Sequence, residues 1–186
     1  MGLVAIILII VGVIVLLVLY GIGTYNSLVQ LRNRVQDQWA QIDVQLKKRF
    51  DLIPNLVETV KGYAKHERET LENVIQARNM FANTTSAEEH MAADGELTKT
   101  LGKLFALAEN YPELKANTNF LQMQEDLKFV ETSIAAARTF YNDTVLMLNN
   151  KVQMFPSSII ANMFKFEPGT FFATAEAERE NIQVKF

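Results

Sequence analysis

The chain of 186 residues has no cysteine, only two histidines and four prolines, and no charged side chain before Arg32. The lack of cysteine excludes disulfides and thiolate chemistry, although it does not identify a compartment. Charge is balanced, with 18 basic and 21 acidic residues and a net charge of −3, so a strongly basic surface is absent. We therefore expect no nucleic-acid partner.

The longest apolar run in the chain extends from Leu3 to Ile22. In a helix, about twenty residues cover roughly 30 Å, the hydrocarbon thickness of a bilayer. A cleaved signal peptide is the alternative, but the run is longer than a signal core, no basic residue precedes it and no Ala-x-Ala cleavage site follows it, Gly21-Ile22-Gly23 being only a faint substitute. We predict an uncleaved transmembrane anchor over residues 1–23, with the lipid bilayer as a partner.

The charges beside the anchor predict its orientation. Arg32 and Arg34 follow the apolar run, whereas no charged side chain precedes it. Because basic residues favour the cytoplasmic side of a membrane, we expect the N-terminus outside and residues 24–186 in the cytoplasm.

Beyond the anchor, apolar residues recur every three or four positions, which is typical of amphipathic helices. A first stripe predicts that the anchor continues as one helix to Asp51. We expect Pro54 to open a second helix that ends near Phe81, because proline suits the first turn of a helix. A third helix is predicted from Ser86, where a capping box begins, towards Pro112.

A fourth helix is predicted to begin near Thr118. Its apolar residues repeat at seven-residue intervals, namely Phe120, Leu127, Ile134, Tyr141, Leu148 and Phe155. Four amphipathic helices with short connections predict an all-α fold, in which the transmembrane helix continues into an elongated antiparallel four-helix bundle over residues 24–155. Only residues 182–186 have any strand character.

Four charged residues fall on or beside the apolar stripes: Glu67, Arg78, Glu131 and Arg138. A dry core does not accept unpaired charges, so we predict structural ion pairs, with Arg78 and Arg138 as possible partners of the two glutamates. A carboxylate metal site is the alternative, but the Glu-x-x-His motif of helical-bundle metal sites does not occur.

Other candidate sites are weaker. His66 and His90 lie in polar stretches and are predicted to be surface residues. The basic run 47–49 lies about 37 Å along a continuous helix from the anchor, too far to sense the membrane surface, so we interpret it as a solvated face or a contact to a neighbour. We predict no catalytic residue, no metal and no cofactor, and therefore a non-enzymatic protein.

Residues 156–172 form a Phe-rich foot segment after the fourth helix. Together with the residue before it, this segment presents five phenylalanines: Phe155, Phe164, Phe166, Phe171 and Phe172. They are interpreted either as a plug that closes the base of the bundle or as a contact to the membrane or to another subunit. In the C-terminal tail, residues 173–186, the last three residues are candidates for pairing with a partner's sheet edge.

Several strings in the chain resemble the LemA family of bacterial membrane proteins. They are Tyr25-Asn26, Trp39-Ala40, Asp51-Leu52-Ile53-Pro54-Asn55-Leu56-Val57, Val60-Lys61-Gly62-Tyr63-Ala64, Glu109-Asn110-Tyr111-Pro112 and Phe155-Pro156. The resemblance implies a long helical bundle on a single N-terminal anchor in the bacterial cell membrane, with the N-terminus outside. It implies no activity and no binding residues.

Two functions remain open at this point. The first is a membrane scaffold that self-associates as a homo-oligomer through its long helices and the Phe-rich foot segment. The second, motivated by the resemblance, is an adaptor or regulator of another membrane protein such as a membrane protease.

Overall fold

The computed structural model describes residues 2–82, 84 and 87–172, of which 87% are helical and none is in a strand. This confirms the all-α class for the described part of the chain. The helices are α1 (Gly2–Tyr63), α2 (Arg68–Ala82), α3 (Ala87–Ala108), α4 (Pro112–Lys115), α5 (Thr118–Gln153) and α6 (Ser157–Met163). The predicted strand character at residues 182–186 lies outside the described residues.

Helix α1 begins with the apolar run and is long and apolar enough to cross a membrane. The side chains of this run are exposed from Leu3 to Tyr20. Large apolar side chains exposed on every face of a helix are unfavourable in water and favourable in a bilayer.

The predicted helix break at Pro54 is wrong, because α1 passes through this residue and continues to Tyr63. Proline removes one intrahelical hydrogen bond and normally kinks or ends a helix. Here Pro54 is exposed, while its neighbours Ile53 and Leu56 are fully buried. The burial of these side chains therefore outweighs the local cost of the proline, and the helix ends instead before Ala64.

The described residues fall into two compact units. The anchor unit contains the residues up to Ala40 and those from Thr139 to Phe171. The second unit contains the residues from Gln41 to Arg138, together with Phe172.

The core of the second unit is built from the stripes that the sequence predicted on α1, α2, α3 and α5. Leucine, isoleucine and valine dominate it, as expected for residues that leave water at a gain of roughly 1.5–3 kcal/mol each. Its most deeply buried large side chains are Ile42, Leu46, Ile53, Leu56, Val60, Val74, Leu97, Leu104, Leu114 and Ile134.

The core of the anchor unit is smaller and joins α1, α5 and α6. Its buried cluster consists of Leu28, Leu148, Val152, Ala161 and Phe166. After α6 the chain returns along α5, where the Asn149 side chain donates to the Gly169 carbonyl at 3.0 Å and accepts from the Gly169 N–H at 2.7 Å. The Tyr141 hydroxyl, whose pKa is raised by burial, donates to the Thr170 carbonyl at 2.9 Å.

We expect the substitution Pro54→Ala to stabilise the protein, because it restores a backbone N–H inside a helix that already continues through this position. The expected gain in the free energy of unfolding is on the order of 1 kcal/mol or more. Denaturant unfolding followed by circular dichroism measures it. Asn55→Ala is the matched control, since an exposed residue with an intact N–H changes stability by less than about 0.7 kcal/mol. A loss of stability in Pro54→Ala would show that the packing of α1 requires the proline.

Candidate functional site

A buried ion-pair cluster joins three helices of the second unit. The carboxylate of Asp94 on α3 accepts a hydrogen bond from Nη1 of Arg49 on α1 at 2.7 Å, and a second one from Nη2 of Arg138 on α5. The same Arg49 Nη1 lies 2.9 Å from Oε2 of Glu131, also on α5. Asp94 and Arg49 form the buried centre of the cluster, at 1% and 4% exposed, whereas the side chains of Arg138 and Glu131 are 18% and 41% exposed.

Helical spacing explains why these charges point inward. Asp94 lies seven residues before Leu101 and three before Leu97, on the apolar stripe of α3. Arg49 lies three residues after Leu46 and four before Ile53, on the stripe of α1. A residue three, four or seven positions from a buried one shares its helix face, so both side chains are directed to the core.

The cluster contains two guanidinium groups and two carboxylates, so its formal charge is balanced. Each oxygen of the Asp94 carboxylate accepts from one of the two guanidinium groups. Buried ion pairs add little net stability when complete, but removing one partner is strongly destabilising. The arrangement therefore holds α1, α3 and α5 in one register.

The partners of the predicted ion-pair residues differ from those expected. Arg138 contacts Asp94, and Glu131 contacts Arg49. Glu67 accepts a hydrogen bond from the Tyr111 hydroxyl at 3.0 Å, and this bond raises the pKa of Tyr111. Among the described residues, half-buried Arg78 makes no salt bridge, and its structural role remains a prediction.

Two sequence interpretations require correction at this site. The sequence predicts residues 47–49 as a solvated face or a contact to a neighbour; Lys47 and Lys48 are exposed, but Arg49 is buried against Asp94, so the prediction is wrong for Arg49. His90 was assigned to the surface, but its ring packs against Phe81 with 4.6 Å between centroids, and its side chain is 17% exposed.

The Phe-rich foot segment divides into buried and exposed rings. Phe166 packs against Tyr25 of α1 at 5.8 Å between centroids, and Cζ of Arg32 lies 5.4 Å from its centre. Phe172 belongs to the second unit, where Cζ of Arg138 lies 4.6 Å from its centre. Both rings are buried within the chain, so they offer little free surface to a membrane or another subunit.

The other three rings retain external surface. Phe155 is 81% exposed, Phe164 53% and Phe171 45%. In the same anchor unit, Phe140, Met147 and Met154 recur at seven-residue intervals and are also exposed. We call these last three residues the apolar face of α5. Their spacing places them on one side of the chain, since seven residues are close to two helical turns.

Among the described residues, no group of three or more histidine, aspartate or glutamate side chains is placed to hold a metal ion. The lack of a catalytic site remains a prediction from the sequence.

These features define the class of the protein: a chain that is all-helical over its described residues, with a candidate membrane-spanning helix at its N-terminal end. The model of the LemA family matches residues 38–186, so the chain belongs to the LemA family. The resemblance noted from the sequence is thereby confirmed.

Individual relatives support the same assignment. Protein LemA of Metamycoplasma hominis is 25% identical over 162 residues, which cover 87% of this chain and 74% of the relative. Magnetosome protein MamQ 2 of Paramagnetospirillum magneticum is 21% identical over 174 residues, covering 80% of this chain. Magnetosome protein MamQ of Magnetospirillum gryphiswaldense is 20% identical over the same length. The match spans only 64% of each magnetosome relative, less than two thirds of its length.

Asp94→Asn should destabilise the protein strongly, because it leaves the buried Arg49 and the partly buried Arg138 without their shared negative charge. We expect a loss on the order of 3 kcal/mol in the free energy of unfolding. Thermal unfolding of the full chain in mild detergent measures the change. Asp143→Asn on the exposed side of α5 is the matched control and should change stability by less than about 0.5 kcal/mol. Equal melting temperatures for the two variants would contradict a central role of Asp94.

Proposed function

We propose that this protein is a membrane-anchored, non-enzymatic scaffold that self-associates through the exposed apolar surface of its anchor unit. The observation that carries the proposal is the exposure of large apolar side chains outside the predicted anchor. Phe155 is 81% exposed, and the apolar face of α5 lies close to it in sequence. Clustered apolar side chains of this size mark surfaces that bind another protein or a membrane.

The energetics favour burial of this surface. Fully burying a phenylalanine or methionine side chain contributes roughly 1.5–3 kcal/mol. Several such contributions are available here, from Phe140, Met147, Met154 and Phe155. A single exposed apolar residue would need no explanation, but four of them indicate a contact surface. Phe164 and Phe171 of the foot segment add to this exposed apolar surface.

The shared anchor limits the geometry of assembly. All copies enter the bilayer in the same orientation, so their helices meet side by side and parallel in the membrane plane. Where two different faces of neighbouring copies meet, such side-by-side contacts close into a ring or extend as an open array. The elongated antiparallel four-helix bundle over residues 24–155 belongs to the proposal, since long helices supply lateral surface for such contacts.

The buried ion-pair cluster supports a scaffold role in a different way. A scaffold holds the proteins that bind it at fixed positions. Its own helices must therefore keep their register when neighbouring copies pack against them. Asp94 between Arg49 and Arg138 supplies such a constraint inside the second unit, because any shift of one helix separates charges that have already left water.

An adaptor or regulator of another membrane protein, such as a membrane protease, uses the same exposed surface for a different partner. The C-terminal tail proposed to pair with a partner's sheet edge lies outside the described residues. Oligomeric state separates the two functions, because an adaptor of this kind is monomeric until its partner is present.

We propose the N-terminus outside the bacterial cell membrane and the helical body in the cytoplasm, as the charges of Arg32 and Arg34 favour. Protease added to intact spheroplasts should leave the body undigested, and protease added to inverted vesicles should cleave it. The control is a periplasmic reporter protein that must be digested in the first preparation. Digestion of the body from outside would reverse the orientation.

The double variant Phe140→Ser/Phe155→Ser should weaken self-association, because it removes two exposed rings from the proposed contact. We expect the wild-type chain to form a discrete oligomer or larger array in mild detergent, and the double variant to shift to monomer. Mass photometry or light scattering coupled to size exclusion measures the state. Ile75→Ser, at an exposed apolar residue of the second unit, is the matched control and should leave the oligomer intact. A wild-type chain that is strictly monomeric in detergent and in nanodiscs would reject the scaffold and favour the adaptor.

A further inference from the structure

An apolar groove of about 520 Å³ lies between helices α1 and α6 in the anchor unit. Ile14, Leu17, Val18, Gly21, Ile22 and Tyr25 line it from α1. Ile160, Met163 and Phe164 line it from α6 and the residue that follows. Its volume falls within the range of roughly 300–1,000 Å³ that is usual for small-molecule sites, and its walls are almost entirely hydrocarbon.

The position of the groove along the candidate membrane-spanning helix indicates the kind of molecule that fills it. From Ile14 to Tyr25 the groove follows α1 for roughly 16 Å. Most of this length belongs to the apolar run, so in a membrane it faces hydrocarbon and not water. A groove continuous with that surface is open to the lipid chains around the anchor.

The two ends of the groove differ in chemistry. Towards the apolar run the walls are aliphatic. At the other end Tyr25 packs against Phe164 with 4.7 Å between ring centroids, which places two aromatic rings at the level where membrane-interface aromatics lie. The exposed Lys165 follows Phe164, and lysines at this level extend their ammonium group towards lipid phosphates.

At Gly21 the side chain of Ile160 packs directly against the backbone of α1. A Cβ built at Gly21 would lie 3.6 Å from Cδ1 of Ile160, an ordinary van der Waals contact. The groove lies beside this contact, since Gly21 and Ile160 both line it. The contact also keeps α6 beside the hydrocarbon level of the chain.

We propose that this groove binds one phospholipid, with an acyl chain between α1 and α6 and the headgroup phosphate beside Lys165. The inference rests on the membrane anchoring in the proposed function, but not on self-association. A lipid held there makes α6 and the foot segment part of the membrane interface and not only a closure of the helical core.

Two matched double variants test the proposal. Ile14→Trp/Val18→Trp fills the groove from the α1 side, whereas Val15→Trp/Leu19→Trp places the same side chains one residue further along, on a face that does not line it. The full chain is reconstituted in vesicles of phosphatidylethanolamine and phosphatidylglycerol, extracted in mild detergent and weighed by native mass spectrometry. We expect one retained phospholipid per chain in the wild type and in the control, and at least tenfold lower retention in the groove variant.

A second readout reports the position of the lipid. A phospholipid with a photoreactive group at the end of one acyl chain should label the α6 peptide in the wild type and the control, but not in the groove variant. Equal lipid retention in all three proteins, or labelling of the anchor without α6, would overturn the proposal. Either result would show that the retained lipid is nonspecific lipid around the anchor and is not bound in the groove. A lipid-free oligomer that the groove variant converts to monomer would also overturn it, because a second copy would then occupy the groove.

The same measurements separate this inference from the proposed function. A monomeric wild-type chain that retains one phospholipid supports the lipid site while rejecting self-association. An oligomer without retained lipid does the reverse. Flotation of the reconstituted vesicles reports anchoring independently, and a chain that fails to float would overturn both.

Discussion

The carboxylate of Asp94, held between Arg49 and Arg138, joins three helices at a point where water is excluded. Apolar contacts elsewhere in the second unit tolerate small shifts, because the hydrophobic effect has no direction. Two guanidinium groups on one buried carboxylate do not tolerate them, since each separation leaves a charge without compensation. The leucines and isoleucines of the second unit thus supply most of the burial, while this cluster selects one register among those that the apolar stripes allow.

Helix α1 carries both Arg49 of the ion-pair cluster and the candidate membrane-spanning run. The helix carries an apolar run suited to hydrocarbon and, further along, a stripe that packs in the second unit, without an interruption at Pro54. In the anchor unit, α6 and the segment that returns along α5 pack against it, fastened by the paired hydrogen bonds between Asn149 and Gly169. Burial of Phe166 in that packing removes it from the external surface, whereas Phe155 and Phe164 remain available to a membrane or another chain.

Much of the fold could be predicted because helical periodicity is a local property of the chain. The seven-residue repeat on α5 marks Phe120, Leu127 and Ile134 as core residues, and all three are buried. The break expected at Pro54 does not occur, because the cost of a missing hydrogen bond is local while the burial of Ile53 and Leu56 depends on distant residues. Similarly, Asp94 lies on the apolar stripe of α3, three residues before Leu97, and this spacing was the one signal in the sequence that pointed to its burial.

The sequence by itself determined the all-helical class, the candidate membrane-spanning run, most core positions of the four predicted stripes and the family, since each depends on residue type and spacing along one segment. Only the tertiary structure decided which charges pair, which phenylalanines are buried and where the apolar groove lies. These features join residues that are far apart in the chain, such as Arg49 with Asp94 and Gly21 with Ile160. Periodicity places a side chain on a helix face, but it does not specify which other face it meets, and that choice depends on the packing of all the helices together.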